Sequence, residues 1–213
     1  MKTRIWIIAV LAIWFGRLGA QEKVVTPFVR MGLTSGFLAS RDNTGMPIGF
    51  HLGAGAQIRL LSSGRFHLQP ALEIYQKGGT LEADYGGKVT IRGLYLQLPV
   101  DALLQFHPGQ TTYISLGVGP YVGYGIGGTT HATPGLYFYR HIPVDRHYST
   151  FGSEVNMRRW DTGLHVLTQV EFHRYFVGAG FQIGFLAIDK REWSNTYELG
   201  SPCALNLYAG YRF

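Results

Sequence analysis

The sequence is poor in cysteine, in charged residues and in long apolar runs, and these shortages exclude several classes of protein. Its one cysteine, Cys203, excludes an intrachain disulfide and a cysteine metal cluster. Cys203 falls on the apolar face of a predicted strand, where we expect a small hydrophobic residue rather than a reactive thiol. Only 15% of the residues are charged. The function must therefore be sought outside disulfide-stabilised scaffolds and cysteine-based metal sites.

The one long apolar run, residues 5–15, lies near the start of the chain, after Lys2 and Arg4. It is shorter than the about 20 residues that a membrane-spanning helix needs. Small residues ending at Ala20 follow it, and no cysteine for lipid attachment comes next. This pattern predicts a secretory signal peptide over residues 1–20 that is cleaved after Ala20. An uncleaved membrane anchor is the less favoured alternative.

The signal peptide also carries part of the positive charge. Lys2, Arg4 and Arg17 lie within it, so the formal net charge of residues 21–213 is 6 − 3 = +3. These residues contain no run of basic side chains. A nucleic-acid partner is therefore not expected.

Glycine and aromatic residues are abundant, with 29 Gly, 13 Tyr and 13 Phe, which points to an all-β protein with many turns. Apolar side chains alternate with polar ones or glycine, and a period of two is typical of strands with two different faces. Eight segments show this alternation: residues 28–34, 48–60, 66–77, 94–106, 114–124, 160–172, 175–185 and 203–213.

The length and spacing of these segments favour a barrel that crosses a membrane. Most are about 10–14 residues long, whereas strands in soluble proteins average about 5–6 residues and membrane-crossing strands need about 9–11. Connections alternate between short turns and long loops, the latter including residues 77–88 and 127–157. We predict an eight-stranded antiparallel up-and-down transmembrane β-barrel over residues 21–213, with short periplasmic turns, long external loops and both termini in the periplasm.

Such a barrel must turn its apolar residues outward and its polar residues inward, because lipid offers the backbone and the charges no hydrogen bonds. An eight-stranded barrel is filled by its own side chains, so we expect an ionic network rather than an open pore. A soluble lipocalin-like binding barrel, the alternative, has the opposite polarity. The predicted inner-face network consists of Arg30, Arg59, Glu73, Arg92, Asp101, Glu171 and Arg212.

Three strand motifs resemble one family. Residues 68–79 read LQPALEIYQKGG, residues 94–100 read LYLQLPV and residues 116–124 read LGVGPYVGY. In this order they resemble the motifs of the PorT-type outer-membrane β-barrel family of Bacteroidota. The resemblance implies an outer-membrane barrel; most members have no assigned function, and a few are linked to secretion, gliding or conjugation. The chain departs from the family pattern at Ala71, Gln97 and Asp101.

The final strand has aromatic residues at Tyr211 and Phe213, the last position of the sequence. This ending resembles the signal that the barrel-insertion machinery reads in bacterial outer-membrane proteins. The expected partners are therefore outer-membrane lipid and that machinery.

The long loop over residues 127–157 is the candidate external binding loop. Tyr137, Phe138, Tyr139, His141 and Ile142 form a cluster within it that predicts an exposed apolar patch. Such a patch suits an envelope or extracellular protein partner.

The same loop also holds histidines, but their arrangement indicates no enzyme. His131, His141 and His147 accompany Asp145 and Ser149 without the spacing of a catalytic triad or a metal site. We therefore predict a non-enzymatic protein with no catalytic residues, no metal and no cofactor. Its expected role is structural, adhesive or accessory to assembly or secretion, through the external loops. The alternatives are a narrow solute channel, a lipid-modifying enzyme and the lipocalin-like barrel.

Overall fold

The computed structural model describes residues 24–39, 43–61, 64–82, 88–108, 111–133, 146–153, 155–188 and 200–213. The predicted signal peptide lies outside these residues. In the described part of the chain, no helix is long and apolar enough to cross a membrane.

The described residues form one sheet of ten strands, of which two are short. The strands are β1 (Val25–Leu38), β2 (Asn43–Gly45), β3 (Ile48–Arg59), β4 (Phe66–Glu82), β5 (Lys88–Phe106), β6 (Thr112–Ala132), β7 (Arg146–Ser149), β8 (Trp160–Phe172), β9 (Tyr175–Gly184) and β10 (Pro202–Arg212).

The eight long strands close into a ring. Each pairs antiparallel with the next long strand along the chain, and β10 pairs back with β1. At this closing seam Met31 lies opposite Ala209, and Leu33 lies opposite Leu207. The predicted eight-stranded antiparallel up-and-down barrel is therefore confirmed.

The two ends of the barrel differ in how the strands connect. Three short connections, residues 60–65, 107–111 and 173–174, lie at one end, which we call the turn end. In the shortest of them His173 has a φ of 56°, the left-handed conformation that two-residue hairpin turns require. The remaining connections lie at the other end, the loop end, and include both the short connection 83–87 and the longer ones between β6 and β8 and between β9 and β10.

The prediction of a loop over residues 77–88 is wrong, because both flanking strands continue into this segment. β4 extends to Glu82 and β5 starts at Lys88, so only residues 83–87 separate them. Leu81, Val89 and Ile91 are buried on the inner side of this extension, which gives the two strands a core to pack on.

The predicted loop over residues 127–157 is also partly strand. β6 runs on to Ala132 and pairs there with β7, with His131 opposite His147. An irregularity in the pairing of β5 with β6 near Leu94 precedes this extension. The short strand β2 pairs with β4 in the same region. The sheet therefore projects beyond the barrel at the loop end.

A belt of exposed apolar side chains surrounds the barrel. On β6 it runs from Ile114 to Ile126, or 126 − 114 = 12 residue steps. At about 3.3 Å per residue this is about 40 Å along the strand. With the about 40° tilt of barrel strands, the belt is about 30 Å high, which matches the hydrocarbon core of a bilayer. We call this surface the apolar belt.

Candidate functional site

Inside the apolar belt, most of the buried inward side chains are polar, and a smaller apolar cluster consists of Phe28, Ala71, Phe176 and Tyr208. This polarity contradicts the lipocalin-like alternative, which requires an apolar interior beneath a polar surface. We name the charged groups here, with the histidine that contacts Asp101, the ionic interior: Arg30, Glu73, Lys77, Asp101, Asp161, His165, Glu171 and Arg212.

Arg30 and Glu73 form a fully enclosed ion pair between β1 and β4. The Arg30 Nε donates to Glu73 Oε1, and the Arg30 guanidinium carbon lies 5.2 Å from the centre of the Tyr208 ring. On β3, a Cβ atom at Gly53 would lie 2.9 Å from Glu73 Oε1. The absence of a side chain at Gly53 therefore makes room for this carboxylate.

Two further acids on the inner face also have partners. The Oδ2 atom of Asp101 lies 3.1 Å from Nδ1 of His165. Glu171, near the turn end, pairs with Arg212 and accepts hydrogen bonds from Gln105 Nε2 at 2.8 Å and from Ser115 Oγ at 2.9 Å. Charged and hydrogen-bonding groups on different strands thus pair with each other across the barrel.

The pair of Lys77 and Asp161 belongs to this network, although the sequence analysis did not identify it. The Lys77 ammonium contacts the Asp161 carboxylate and donates to Gln182 Oε1 at 3.0 Å and to Tyr121 Oη at 3.2 Å. The alternation of β4 offered the signal, because Lys77 has the same parity as Glu73. The glycines at 78 and 79, which favour a loop from residue 77, obscure this signal in the sequence.

The predicted inner-face residues divide into three groups. Arg30, Glu73, Asp101 and Glu171 are buried on the inner side. Two more, Arg59 and Arg212, are half-buried near the turn end.

Arg92 is the exception, because it lies exposed on the outer face of β5. Its parity is that of Leu94 and Leu96, so the alternation of the strand turns it outward. Arg92 is tolerated there because it lies beyond the apolar belt, in the extension of β5 toward the loop end. The prediction that placed it in the inner network is wrong.

At the loop end the interior changes from polar to apolar. We call the buried residues there the mouth cluster: Leu38, Leu81, Val89, Ile91, Tyr95, Ala132, Tyr148, Phe151, Val155, Met157 and Ile188.

The segment that follows β7 folds back onto the barrel and completes the mouth cluster. The Phe151 ring packs edge-on against Tyr95, with centroids 5.5 Å apart, above Gly125, where any side chain would overlap it. Arg159 fastens the segment by donating to the carbonyl oxygens of Gly125 at 2.9 Å and Phe151 at 3.0 Å. A solute approaching from the loop end therefore meets packed apolar side chains before it reaches the ionic interior.

The residues of the candidate external binding loop, Tyr137, Phe138, Tyr139, His141 and Ile142, lie outside the described residues. Asp145, which accompanies the loop histidines, does so as well.

Of the loop histidines, His131 and His147 are described. Their rings stack with centroids 4.5 Å apart on the extension formed by β6 and β7. Among the residues that the structure describes, no three His, Cys, Asp or Glu side chains are grouped as a metal site would require.

Tyr211 and Phe213 lie at the turn end, where the barrel closes. The Tyr211 ring contacts the rings of Tyr175 and Phe213, with centroids 5.3 Å and 5.2 Å away. The Phe213 amide donates to the Pro27 carbonyl at 3.0 Å. Recognition of these aromatic residues by the insertion machinery stays a prediction.

No family model and no curated protein sequence matches the chain. Several solved structures are similar. One is Ail, the attachment invasion locus protein of Yersinia pestis, in complex with the heparin analogue sucrose octasulfate; it has a TM-score of 0.42 and 14% identity over 89% of this chain and 99% of that chain.

Two others are the Neisserial surface protein A and the N-terminal β-barrel domain of OprF from Pseudomonas aeruginosa. The first has a TM-score of 0.45 and 15% identity, over 88% of this chain and 97% of that chain. The second has a TM-score of 0.40 and 14% identity, over 91% of this chain and 100% of that chain. These scores and identities are low, so the fold assignment depends on the strand pairing within this chain.

Proposed function

We propose that this chain is a small integral protein of the bacterial outer membrane with a structural, adhesive or assembly-accessory role. Its turn end would face the periplasm, and its loop end would face outward. The observation that carries the proposal is the polarity of the barrel: an apolar belt about 30 Å high surrounds a buried ionic interior. Such a surface is stable in hydrocarbon and unstable in water.

The interior favours a filled barrel over a solute channel. Lys77 and Asp161 neutralise each other across the barrel, and Tyr121 and Gln182 fill the space beside them. The mouth cluster adds an apolar layer at the loop end. A channel of this width would need a continuous path of water, which an eight-stranded barrel rarely leaves.

A binding role, rather than an enzymatic one, is the proposal for the loop end. The extended ends of β4, β5 and β6, together with β7, project the loop end beyond the apolar belt. A surface that binds a protein partner outside the membrane requires such a projection. The histidines here, His131 and His147, stack on each other on the extension formed by β6 and β7. The partner would be an envelope or extracellular protein.

Membership of the PorT-type family is part of the proposal. Its support is that the three motifs fall on β4, β5 and β6, which are neighbours in the barrel. Within them Glu73 lies opposite Gln97, which in turn lies opposite Gly123. The motif positions thus build one continuous patch of the barrel wall.

The first experiment is gel mobility of the protein from isolated outer membranes, with and without boiling in detergent. A closed membrane barrel stays folded in cold detergent and shifts on boiling. Protease added to intact cells should then cut only within the loop-end connections. Recovery of the protein in the soluble periplasm, with no shift on boiling, would refute the proposal.

Two measurements separate the alternatives. Purified protein in planar bilayers should give no conductance steps above background, whereas regular steps would support the channel. Mass spectra of lipid A should be the same with and without expression of the protein. A new lipid A species would support the lipid-modifying enzyme.

A further inference from the structure

Two cavities lie on the outer face of the barrel near the turn end. One has a volume of about 420 Å³ and is lined by Arg65, Phe106, His107, Pro108 and Ile114. The other has a volume of about 340 Å³ and is lined by Phe66, Ala102, Leu103, Leu104, Leu116, Gly117 and Val118.

The two cavities follow each other along the seam between β5 and β6. Phe106 lies opposite Ile114 in the first, and Leu104 opposite Leu116 and Ala102 opposite Val118 in the second. These pairs are successive outward positions of the same two strands. The cavities therefore lie end to end along one strand pair, and we call them together the seam groove.

A small residue produces the depth of the seam groove. Ala102 is the smallest outward side chain of β5 within the apolar belt, and it lies opposite Val118 on β6. The walls are large, with Phe66 on β4 opposite Leu104 and with Leu116 and Val118 on β6. A flexible apolar chain binds better in such a groove than on a flat surface, because in the groove it gains contacts on three sides.

The two ends of the seam groove differ in charge. Toward the turn end its rim carries Arg65 and His107, both exposed, and no acidic residue lines either cavity. The Arg65 side chain forms no hydrogen bond or ion pair within the described residues, whereas the His107 ring rests edge-on against Tyr113, with centroids 4.5 Å apart. The rim thus offers a cation where the apolar belt meets water.

We propose that the seam groove binds one anionic phospholipid of the leaflet at the turn end. Its phosphate would lie between Arg65 and His107, and one acyl chain would run over Ala102 between Phe66 and Leu116. This assignment rests on the proposed function, because it requires the apolar belt to lie in a bilayer. The negative headgroup complements the rim, and the acyl chain complements the apolar remainder of the groove.

Arg174 provides the matched control. It is another exposed arginine at the turn end, in the turn between β8 and β9. Its guanidinium donates to Tyr211 Oη at 3.2 Å and lies outside the lining of the seam groove. General attraction of lipid phosphates to surface arginines would affect both residues equally, whereas a built site depends on Arg65.

The test is native mass spectrometry of the full chain in detergent, titrated with phosphatidylglycerol or with phosphatidylcholine of the same acyl chains. The wild type should retain one phosphatidylglycerol with about tenfold preference over phosphatidylcholine. The double variant Arg65→Gln, His107→Gln should lose this preference, and Arg174→Gln should keep it. Ala102→Phe, which fills the groove, should weaken retention of both lipids.

Equal retention of the two lipids by the wild type would overturn the proposal, as would an unchanged preference in the double variant. Loss of the preference for phosphatidylglycerol in millimolar inorganic phosphate would overturn the proposal too, since the site would then recognise phosphate alone. Gel mobility with and without boiling is measured on every sample. A mobility shift on boiling without any lipid preference refutes only the lipid site in the seam groove. Absence of the mobility shift in the wild type refutes the membrane barrel itself. The rim variants are exposed substitutions, so they keep the test valid if Ala102→Phe fails to fold.

Discussion

The two parts of β5 have opposite polarity. Between residues 94 and 106 the outward side chains are mainly leucines, and the inward ones include Gln97 and Asp101. Between residues 88 and 92 the outward ones are Lys88, Thr90 and Arg92, and the inward ones are Val89 and Ile91. The alternation thus continues without interruption through both parts, while the outward side chains change from apolar to polar. Under the proposed function, the medium outside is apolar in the first part and water in the second.

The same substitution should therefore have different effects in the two parts. In the apolar belt, stability depends on keeping charges paired inside and absent outside. In the extension at the loop end, it depends on packing of the mouth cluster, as in a soluble protein. The predictions below test this difference, beginning with the largest expected effect.

Removal of one partner from a buried ion pair should be the most destabilising change. Lys77→Ala leaves the Asp161 carboxylate buried without its cation and should lower the free energy of unfolding by about 3–5 kcal/mol. Urea unfolding in lipid vesicles measures this. Lys88→Ala breaks the exposed pair of Lys88 and Glu82 and should cost less than about 1 kcal/mol. Equal costs for the two variants would contradict the distinction between the regions.

A truncation in the mouth cluster should loosen the segment after β7. Phe151→Ala removes a 5% exposed ring from its contact with Tyr95 and should cost about 3 kcal/mol. Limited trypsin digestion would show this as faster cleavage at Arg158 or Arg159. The control is Phe185→Ala, whose ring is 66% exposed and whose loss should leave the cleavage rate within about twofold of the wild type.

A charge on the outer face should be costly only within the apolar belt. Leu207→Arg, at a 68% exposed position midway along β10, should destabilise the folded barrel in vesicles by about 2 kcal/mol. Ser149→Arg on β7, outside the belt, should change stability by about 0.5 kcal/mol or less. If both variants unfold at the wild-type urea concentration, the belt does not face hydrocarbon.

The smallest effect should come from Arg92, which the sequence analysis placed inside. Arg92→Gln should change the free energy of unfolding by about 0.5 kcal/mol or less, because the side chain is exposed. Arg30→Gln should cost several times more, since it leaves Glu73 buried without its cation. Urea titrations of the two variants side by side would test the correction directly.

Much of the fold followed from periodicity. The eight long strands, their order and the inward placement of Glu73 and Asp101 were predictable, because alternation in a strand depends only on the local backbone. Arg92 shares the parity of Leu94 and therefore faces outward, although its charge suggested the inner face. Charge alone does not determine the face of a strand where the apolar belt has ended.

The ends of the strands were less predictable. Glycines at 78 and 79 suggested a loop, yet β4 continues through them because Leu81 finds a buried position opposite Val89. The mouth cluster joins residues that are far apart along the chain, such as Leu38 and Phe151. No local pattern records such contacts.

The sequence by itself determined the alternation, the number of long strands and the two faces of each, since these depend on the order of side chains along an extended chain. The tertiary structure decided the rest. Closure of β10 on β1 determined which inward groups meet across the barrel, and so paired Lys77 with Asp161 and Glu171 with Arg212. The pairing of β4 with β5 brought Arg65 and His107 to one end of the seam groove. These pairings depend on the strand register around the whole ring, which is a property of the closed sheet and not of any single strand.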